Sequence, residues 1–173
     1  MAHTRNAVLP DVAQIHAIIQ PYAEVGTLLP RTTPELCENI RDFLVAEENG
    51  QIVGCGALHL YGMHLAEIRS IAVSSDAKGI GAGRLLVEGL LREADRHSVT
   101  CVCLFTRIPD FFAHMGFSFA TREELPDKIY KDCVHCPNLT ACDEIAMVRG
   151  TIPKNNNGMR DPLIPIPLVR IQI

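Results

Sequence analysis

Apolar residues recur along this chain at two alternating spacings. Val12, Ile15, Ile18, Ile19 and Tyr22 share one face of a helical period, and Asp11 stands at the position of its N-cap. Pro21 is expected to end or kink that helix, because proline removes a backbone donor and crowds the preceding turn. After a loop at 28–32, Thr33 and Pro34 restart a helix as cap and first residue, with Leu36, Ile40 and Phe43 on its apolar side. Residues 5–8 read as a short first strand. Residues 43–47 and 51–61 read as two more, joined across Asn49-Gly50, a dipeptide suited to a tight hairpin turn. Further strands are expected at 66–73, 99–105, 117–120 and 144–149. Helices are expected at 80–97 and 109–115, the second stopped by Gly116. The predicted order, β-α-α-β-β-β-α-β-α-β-β, describes one α/β domain over residues 1–150 without an internal repeat or linker.

Residues 151–173 read as an appended tail. Lys154-Asn155-Asn156-Asn157-Gly158 is a polar link, and Val169, Ile171 and Ile173 then alternate with Arg170 and Gln172 after prolines at 165 and 167. Such a segment should lie along an apolar surface, its own domain's or a second subunit's, so a homodimer to which the tail contributes is expected.

Composition narrows the classes. With 47% hydrophobic and 21% charged residues the chain has the proportions of an ordinary globular domain. Net charge is -4 and the pI about 5.9, which leaves no strongly basic face for nucleic acid. No apolar run approaches the roughly 20 residues of a membrane span, and the N-terminus lacks the apolar core of a signal peptide. A cytoplasmic protein with no membrane partner is expected.

The seven cysteines are an odd number, suited to a reducing compartment. Cys101 and Cys103 alternate within an apolar run and read as small buried hydrophobes. Cys133 and Cys136 have the Cys-x-x-Cys knuckle spacing of zinc sites, and Cys142 or His135 could add a third ligand. A fourth ligand is not evident, so the stretch reads as a loop of free thiols and no metal is assigned.

The most informative stretch runs from Glu67 through Lys78-Gly79-Ile80-Gly81-Ala82-Gly83-Arg84. A strand ends there, a glycine-rich turn follows, and a helix begins at once. Free N–H groups of a first helical turn, backed by the helix dipole, make an anion site fit for a pyrophosphate. The spacing is wrong for a Rossmann fingerprint, and the Gly-Lys-Ser/Thr of a P-loop is missing.

Lys78-x-x-Gly81-x-Gly83 resembles the acetyl-CoA signature of the GNAT acetyltransferase superfamily, with Lys where Gln or Arg is usual. Arg5-x-Ala7-x-x-x-Asp11 resembles that family's opening, and Phe111-Phe112-Ala-His-Met-Gly116-Phe117 its later motif, in matching order over residues 5 to 149. The resemblance implies a GNAT (acyl-CoA N-acyltransferase) fold, a mixed and mostly antiparallel sheet flanked by helices. Leu28-Leu29-Pro30-Arg31, Leu104-Phe105-Thr106-Arg107 and Glu124-Leu125-Pro126-x-Lys128-x-Tyr130 are most similar to the short N-acetylglutamate synthases of arginine biosynthesis. That likeness implies transfer of acetyl from acetyl-CoA to the α-amine of L-glutamate. The classical form carries an arginine-binding kinase domain in front, for which 173 residues leave no room, so arginine feedback by that route is not expected.

The same resemblance assigns Ile71, Ala72, Val73, Lys78, Gly79, Gly81, Ala82, Gly83 and Arg84 to acetyl-CoA. The N–H of Ile71 serves there as oxyanion donor, and that of Val73 bonds the pantetheine arm. Glutamate presents two carboxylates, and Arg31, Arg107 and Lys128 are the candidate grips, Arg107 foremost at the C-terminal end of an apolar strand. Glu67 stands where the family often keeps its general base; the same carboxylate could instead pair with Arg69. Many members place a leaving-group acid where this chain has Phe112, which cannot donate a proton; Tyr130 or solvent could serve. Two other readings stay open on the residues alone. One is a different acceptor amine, and the other is a non-catalytic CoA-binding module whose cysteine loop is the working part. Glu67 beside the glycine turn favours catalysis.

Overall fold

Alternation along residues 43–48 sends Phe43 and Val45 to one face and Leu44 and Ala46 to the other, and all four are buried. A strand apolar on both sides needs a cover on each, and the fold supplies two. A computed structural model of the chain describes residues 2–125, 128–129, 132–136 and 139–152. The expected tail homodimer therefore falls outside the described residues.

Among the described residues seven strands form one sheet: β1 (His3–Asn6), β2 (Phe43–Glu48), β3 (Gln51–Leu60), β4 (Leu65–Val73), β5 (Cys101–Thr106), β6 (Ser118–Phe119) and β7 (Ile145–Gly150). Their spatial order is β1-β2-β3-β4-β5-β7-β6. All neighbours are antiparallel except β4 and β5. On one face lies α3 (Ala82–Arg96), whose Leu86, Val87 and Leu90 pack against Leu44, Leu58, Ile68 and Leu104. On the other lie α1 (Val12–Glu24) and α2 (Thr33–Glu38), which bury Ile15, Ile19 and Leu36 against Val45, Cys55 and Ala57. A short α4 (Pro109–Ala113) follows β5. The element order and the mixed, mostly antiparallel sheet are those expected. No helix among the described residues is long and apolar enough to cross a membrane.

Several boundaries differ from the sequence reading. The first strand lies two residues earlier, because Ala7 and Val8 already turn toward a 3-10 turn at Leu9–Asp11. Asp11 is not a side-chain cap. Its carboxylate accepts from the Arg5 guanidinium at 2.7 and 3.0 Å and from the Val8 N–H at 2.8 Å, pinning β1 to the start of α1. Helix α1 runs through Pro21 to Glu24. There the Tyr22 hydroxyl donates to the Val73 carbonyl at 2.6 Å, and the N–H groups of Thr27 and Leu28 close onto the Tyr22 carbonyl. The cap of α2 is Thr32, one residue early, in a reciprocal box with Glu35. Helix α3 begins at Ala82 because Gly79 and Gly81 hold φ of +88° and +85°, outside the helical region. The hairpin is as expected, with Asn49 and Gly50 both at positive φ.

Candidate active site

Strands β4 and β5 pair in parallel only from Leu65↔Cys101 to Glu67↔Cys103. Beyond that point β5 continues its ladder with β7, and β4 stays with β3. The gap is a cleft of about 310 Å³. Its walls include Ile71 and Val73 of β4, Phe105 and Arg107 after β5, Gly83 of α3 and Phe111 of α4.

Two local devices shape the β4 wall. Cys55 pairs with Ala72 and Ala57 with Arg69, so β4 carries an extra residue there, a bulge with Ser70 at φ +53°. A non-glycine residue in that region is unusual, and such conformations gather at functional sites. The second device is Tyr22, another lining residue, whose hydroxyl holds the Val73 carbonyl.

The glycine turn closes the adjoining end. Gly81 precedes α3 in a left-handed conformation, so the N–H groups of Ala82, Gly83 and Arg84 lie in the first turn without partners inside the helix. Gly83 faces the cleft, and a Cβ built on it would meet Phe111 and Val73 only at 3.6 and 3.7 Å. The Lys78 ammonium stands 5.8 Å above the Tyr22 ring. The Arg84 side chain turns away to Glu88 at 2.8 Å, leaving its backbone for the anion role.

Glu67 is 3% exposed, yet it is fully partnered. Lys128 meets it at 2.8 Å, and the Tyr61 hydroxyl stands 2.7 Å from its other oxygen. Lys128 and Asp132 lie one helical turn apart, with the Asp132 N–H bonded to the Lys128 carbonyl. The Asp132 carboxylate accepts from Lys128 at 3.0 Å, lies 2.5 Å from the Tyr61 hydroxyl and faces Arg69 at 3.7 Å. Burial pushes the Asp132 carboxyl up, but the Tyr61 hydrogen bond and the charges of Lys128 and Arg69 outweigh it and hold it below the usual range. Burial likewise pulls Lys128 down, and the two carboxylates reverse this and raise it. Burial and then the charge of Glu67 drive the Tyr61 phenol far above its ordinary value.

The candidate cations are not equivalent. Arg107 lines the cleft with its guanidinium already engaged, to Asp143 at 2.7 Å, to the Thr27 carbonyl at 2.9 Å and to Glu144 at 3.6 Å. Lys128 serves two internal carboxylates. Arg31 donates only to the Ser70 hydroxyl, at 3.2 Å, and has no carboxylate partner among the described residues. Burial and the neighbouring charge of Arg69 both push its guanidinium below the ordinary value. Arg31, Arg69 and Ser70 also share a small second recess beside the bulge. As for Glu67, its cation is Lys128; Arg69 goes to Asp132.

Sequence reasoning passed over Tyr22, Tyr61, Ser70 and Asp132. Tyr22 was legible only as part of a helix face, Tyr61 only as the end of a strand, and Asp132 only as loop. Phe112 is 2% exposed and packs edge-on against Phe111 and Phe117, a core residue. Tyr130 lies outside the described residues. Cys133 and Cys136 bracket a 3-10 turn closed at 3.0 Å, and among the described residues no three His, Cys, Asp or Glu side chains come together as a metal-ligand set.

Residues 39–119 match the family model described as acetyltransferase (GNAT) domain. An uncharacterized N-acetyltransferase of Chlorobaculum tepidum is 43% identical over 145 residues, covering 84% of this chain and 94% of that protein. An amino-acid acetyltransferase of Mycobacterium tuberculosis is 37% identical over 117 residues, covering 66% of this chain and 67% of its own. Among solved structures, N-acetylglutamate synthase from Neisseria gonorrhoeae complexed with coenzyme A and N-acetyl-glutamate superposes with a TM-score of 0.79 at 28% identity. That match covers 87% of this chain, which spans only 35% of the Neisseria chain.

The buried network makes a stability prediction. Lys128→Met would leave Glu67 as an unpaired buried charge, which costs about 3–5 kcal/mol where such pairs have been broken. Chemical denaturation should show a loss of that order. The depressed Asp132 contributes stability that is present above its unfolded pKa of about 3.9 and is lost as pH falls through the lower folded value. The raised Lys128 contributes stability that is present below about 10.4 and is lost as pH rises through its higher folded value.

Proposed function

The chain belongs to the GNAT acetyltransferase family, and we propose that it moves acetyl from acetyl-CoA to the α-amine of L-glutamate, giving N-acetyl-L-glutamate and CoA. It is an acetyl-CoA-dependent N-acetyltransferase; the glutamate acceptor, a place at the first step of arginine biosynthesis and a cytoplasmic setting are our reading. One observation carries the acceptor: Arg31, a half-buried guanidinium at the Ser70 bulge that has no carboxylate partner among the described residues and stands beside Arg69. Two like charges held close away from bulk water favour an anion between them. A carboxylate-bearing amino acid supplies one. The Mycobacterium and Neisseria relatives are described as an amino-acid acetyltransferase and an N-acetylglutamate synthase, in keeping with this.

Acetyl-CoA supplies a thioester carbon, activated toward attack by an amine. The residues fit it in three places. The first turn of α3, with the N–H groups of Ala82, Gly83 and Arg84 after Gly79 and Gly81, takes the pyrophosphate, and Lys78 adds charge at the rim. The parted strands admit the pantetheine arm along Ile71, Ala72 and Val73. The Ile71 N–H, at the bulge, is the oxyanion donor.

The acceptor enters from the Arg31 side, where Arg31 and Arg69 hold its carboxylate. Arg107 and Lys128, proposed from the sequence as further grips, act mainly by bracing the walls. Glu67 accepts the ammonium proton through water, since an amine attacks only when neutral. Attack in a ternary complex then expels CoA as thiolate. Phe112 gives no acid at that step.

Two measurements test the assignment. Gly83→Val has room for its Cβ but fills the cleft with its methyl groups, so CoA affinity by calorimetry should fall at least tenfold with an unchanged melting temperature. An unchanged affinity would remove the α3 turn as the cofactor site. Thiol release across a panel of amino acids should be fastest with L-glutamate. Arg31→Ala should then raise the glutamate KM by about ten- to a hundredfold, the equivalent of a charged hydrogen bond of about 1.5–3 kcal/mol, and leave the acetyl-CoA KM nearly unchanged. A different preferred amine, or equal effects on both substrates, would overturn the glutamate reading.

A further inference from the structure

A proton accepted by Glu67 has to leave a carboxylate that is 3% exposed, and the structure contains a path of hydroxyl and carboxylate oxygens leading outward. The Tyr61 hydroxyl lies 2.7 Å from Glu67 Oε2 and 2.5 Å from Asp132 Oδ2. A phenol carries one proton, and ionised carboxylates only accept. The phenol can donate to one carboxylate at a time while its oxygen stays open to a proton from the other, so the two contacts join Glu67 and Asp132 through a single hydroxyl. The inner end of this path, Glu67, has a side chain 4% exposed, and its outer end, Asp132, one 34% exposed.

We infer that Tyr61 and Asp132 form a proton relay that carries the proton of the acceptor amine from Glu67 to solvent. The inference rests on Glu67 as the base. The ammonium loses its proton, through water, to Glu67 Oε2. Glu67 then passes a proton to the Tyr61 oxygen while Tyr61 gives its own to Asp132 Oδ2, and Asp132 releases it to water. The phenol is regenerated, no charge is left on it, and no further reactant is consumed. Lys128 touches both carboxylates at 2.8–3.1 Å, neutralising the pair. Arg69 stands at 3.7 Å from the outer carboxylate, which keeps Asp132 a good leaving point.

The test uses the full chain and whichever acceptor of the amino-acid panel turns over fastest, so it does not depend on glutamate. Tyr61→Phe keeps the ring and removes the oxygen; Asp132→Asn keeps the shape and removes the acceptor. Each should lower kcat by about tenfold or more with the acetyl-CoA KM unchanged. The lost rate should return as imidazole or formate buffer is raised, because a small acid–base pair can carry the proton instead, while the unmodified enzyme stays insensitive to buffer. Glu67→Gln should lose activity without rescue. Should Asp132→Asn fail to fold, Tyr61→Phe alone decides.

Two results would overturn the relay and leave the base in place: near-normal kcat in Tyr61→Phe with Glu67→Gln inactive, or a slow Tyr61→Phe that ignores buffer. Near-normal activity of Glu67→Gln would overturn the base and the relay with it.

Discussion

The site exists because one strand pairing stops short. Among the described residues β4 and β5 are the only parallel neighbours in the sheet, and their ladder ends at Glu67↔Cys103. Backbone polar groups freed inside a sheet must find partners or face a ligand. Tyr22 takes the Val73 carbonyl, and the Ser70 bulge turns the rest of β4 out of its regular register. The helix that follows then aims its first turn into the gap. A continuous β4–β5 ladder would have produced a sounder sheet with no room for a thioester.

Burial sorts the charges around this gap into two kinds. Glu67, Lys128 and Asp132 satisfy one another and are linked by Tyr61, so the cluster is nearly complete without a ligand. Among the described residues Arg31 has a single hydroxyl acceptor and a cationic neighbour. Residue type alone does not reveal this contrast among the candidate grips. Arg107, at the strand end where α/β sheets place ligands, is engaged by Asp143 and the Thr27 carbonyl, whereas Arg31, in a loop without periodicity, has no carboxylate partner among the described residues.

Much of the fold was legible because period-2 and period-3.6 patterns both report burial directly. The hairpin at Asn49-Gly50 and the turn before α3 each need positive φ, and their residues say so. Pro21 misled because a proline is not an obligatory stop: α1 continues three residues past it, held there by the Tyr22 hydroxyl on the Val73 carbonyl. Asp11 misled because an aspartate before a helix has two uses, and here the guanidinium of Arg5 outcompeted the free N–H groups. Within the site, Glu67 and the glycine turn could be read from local sequence. Tyr61 and Asp132 could not, since they are 71 residues apart and meet only through the fold. The Ser70 bulge was also hidden, for no residue preference marks a serine at positive φ.

Arg107 has a consequence of another kind. Its guanidinium joins the Thr27 carbonyl, 80 residues away, to Asp143, 36 residues away on the other side. Three surface segments, the α1–α2 loop, the end of β5 and the approach to β7, thus share one fastener. Surface loops ordinarily open independently and at little cost. Here the loop that carries Arg31 and the segment before β7 are tied to the same guanidinium, so the order of one favours the order of the other.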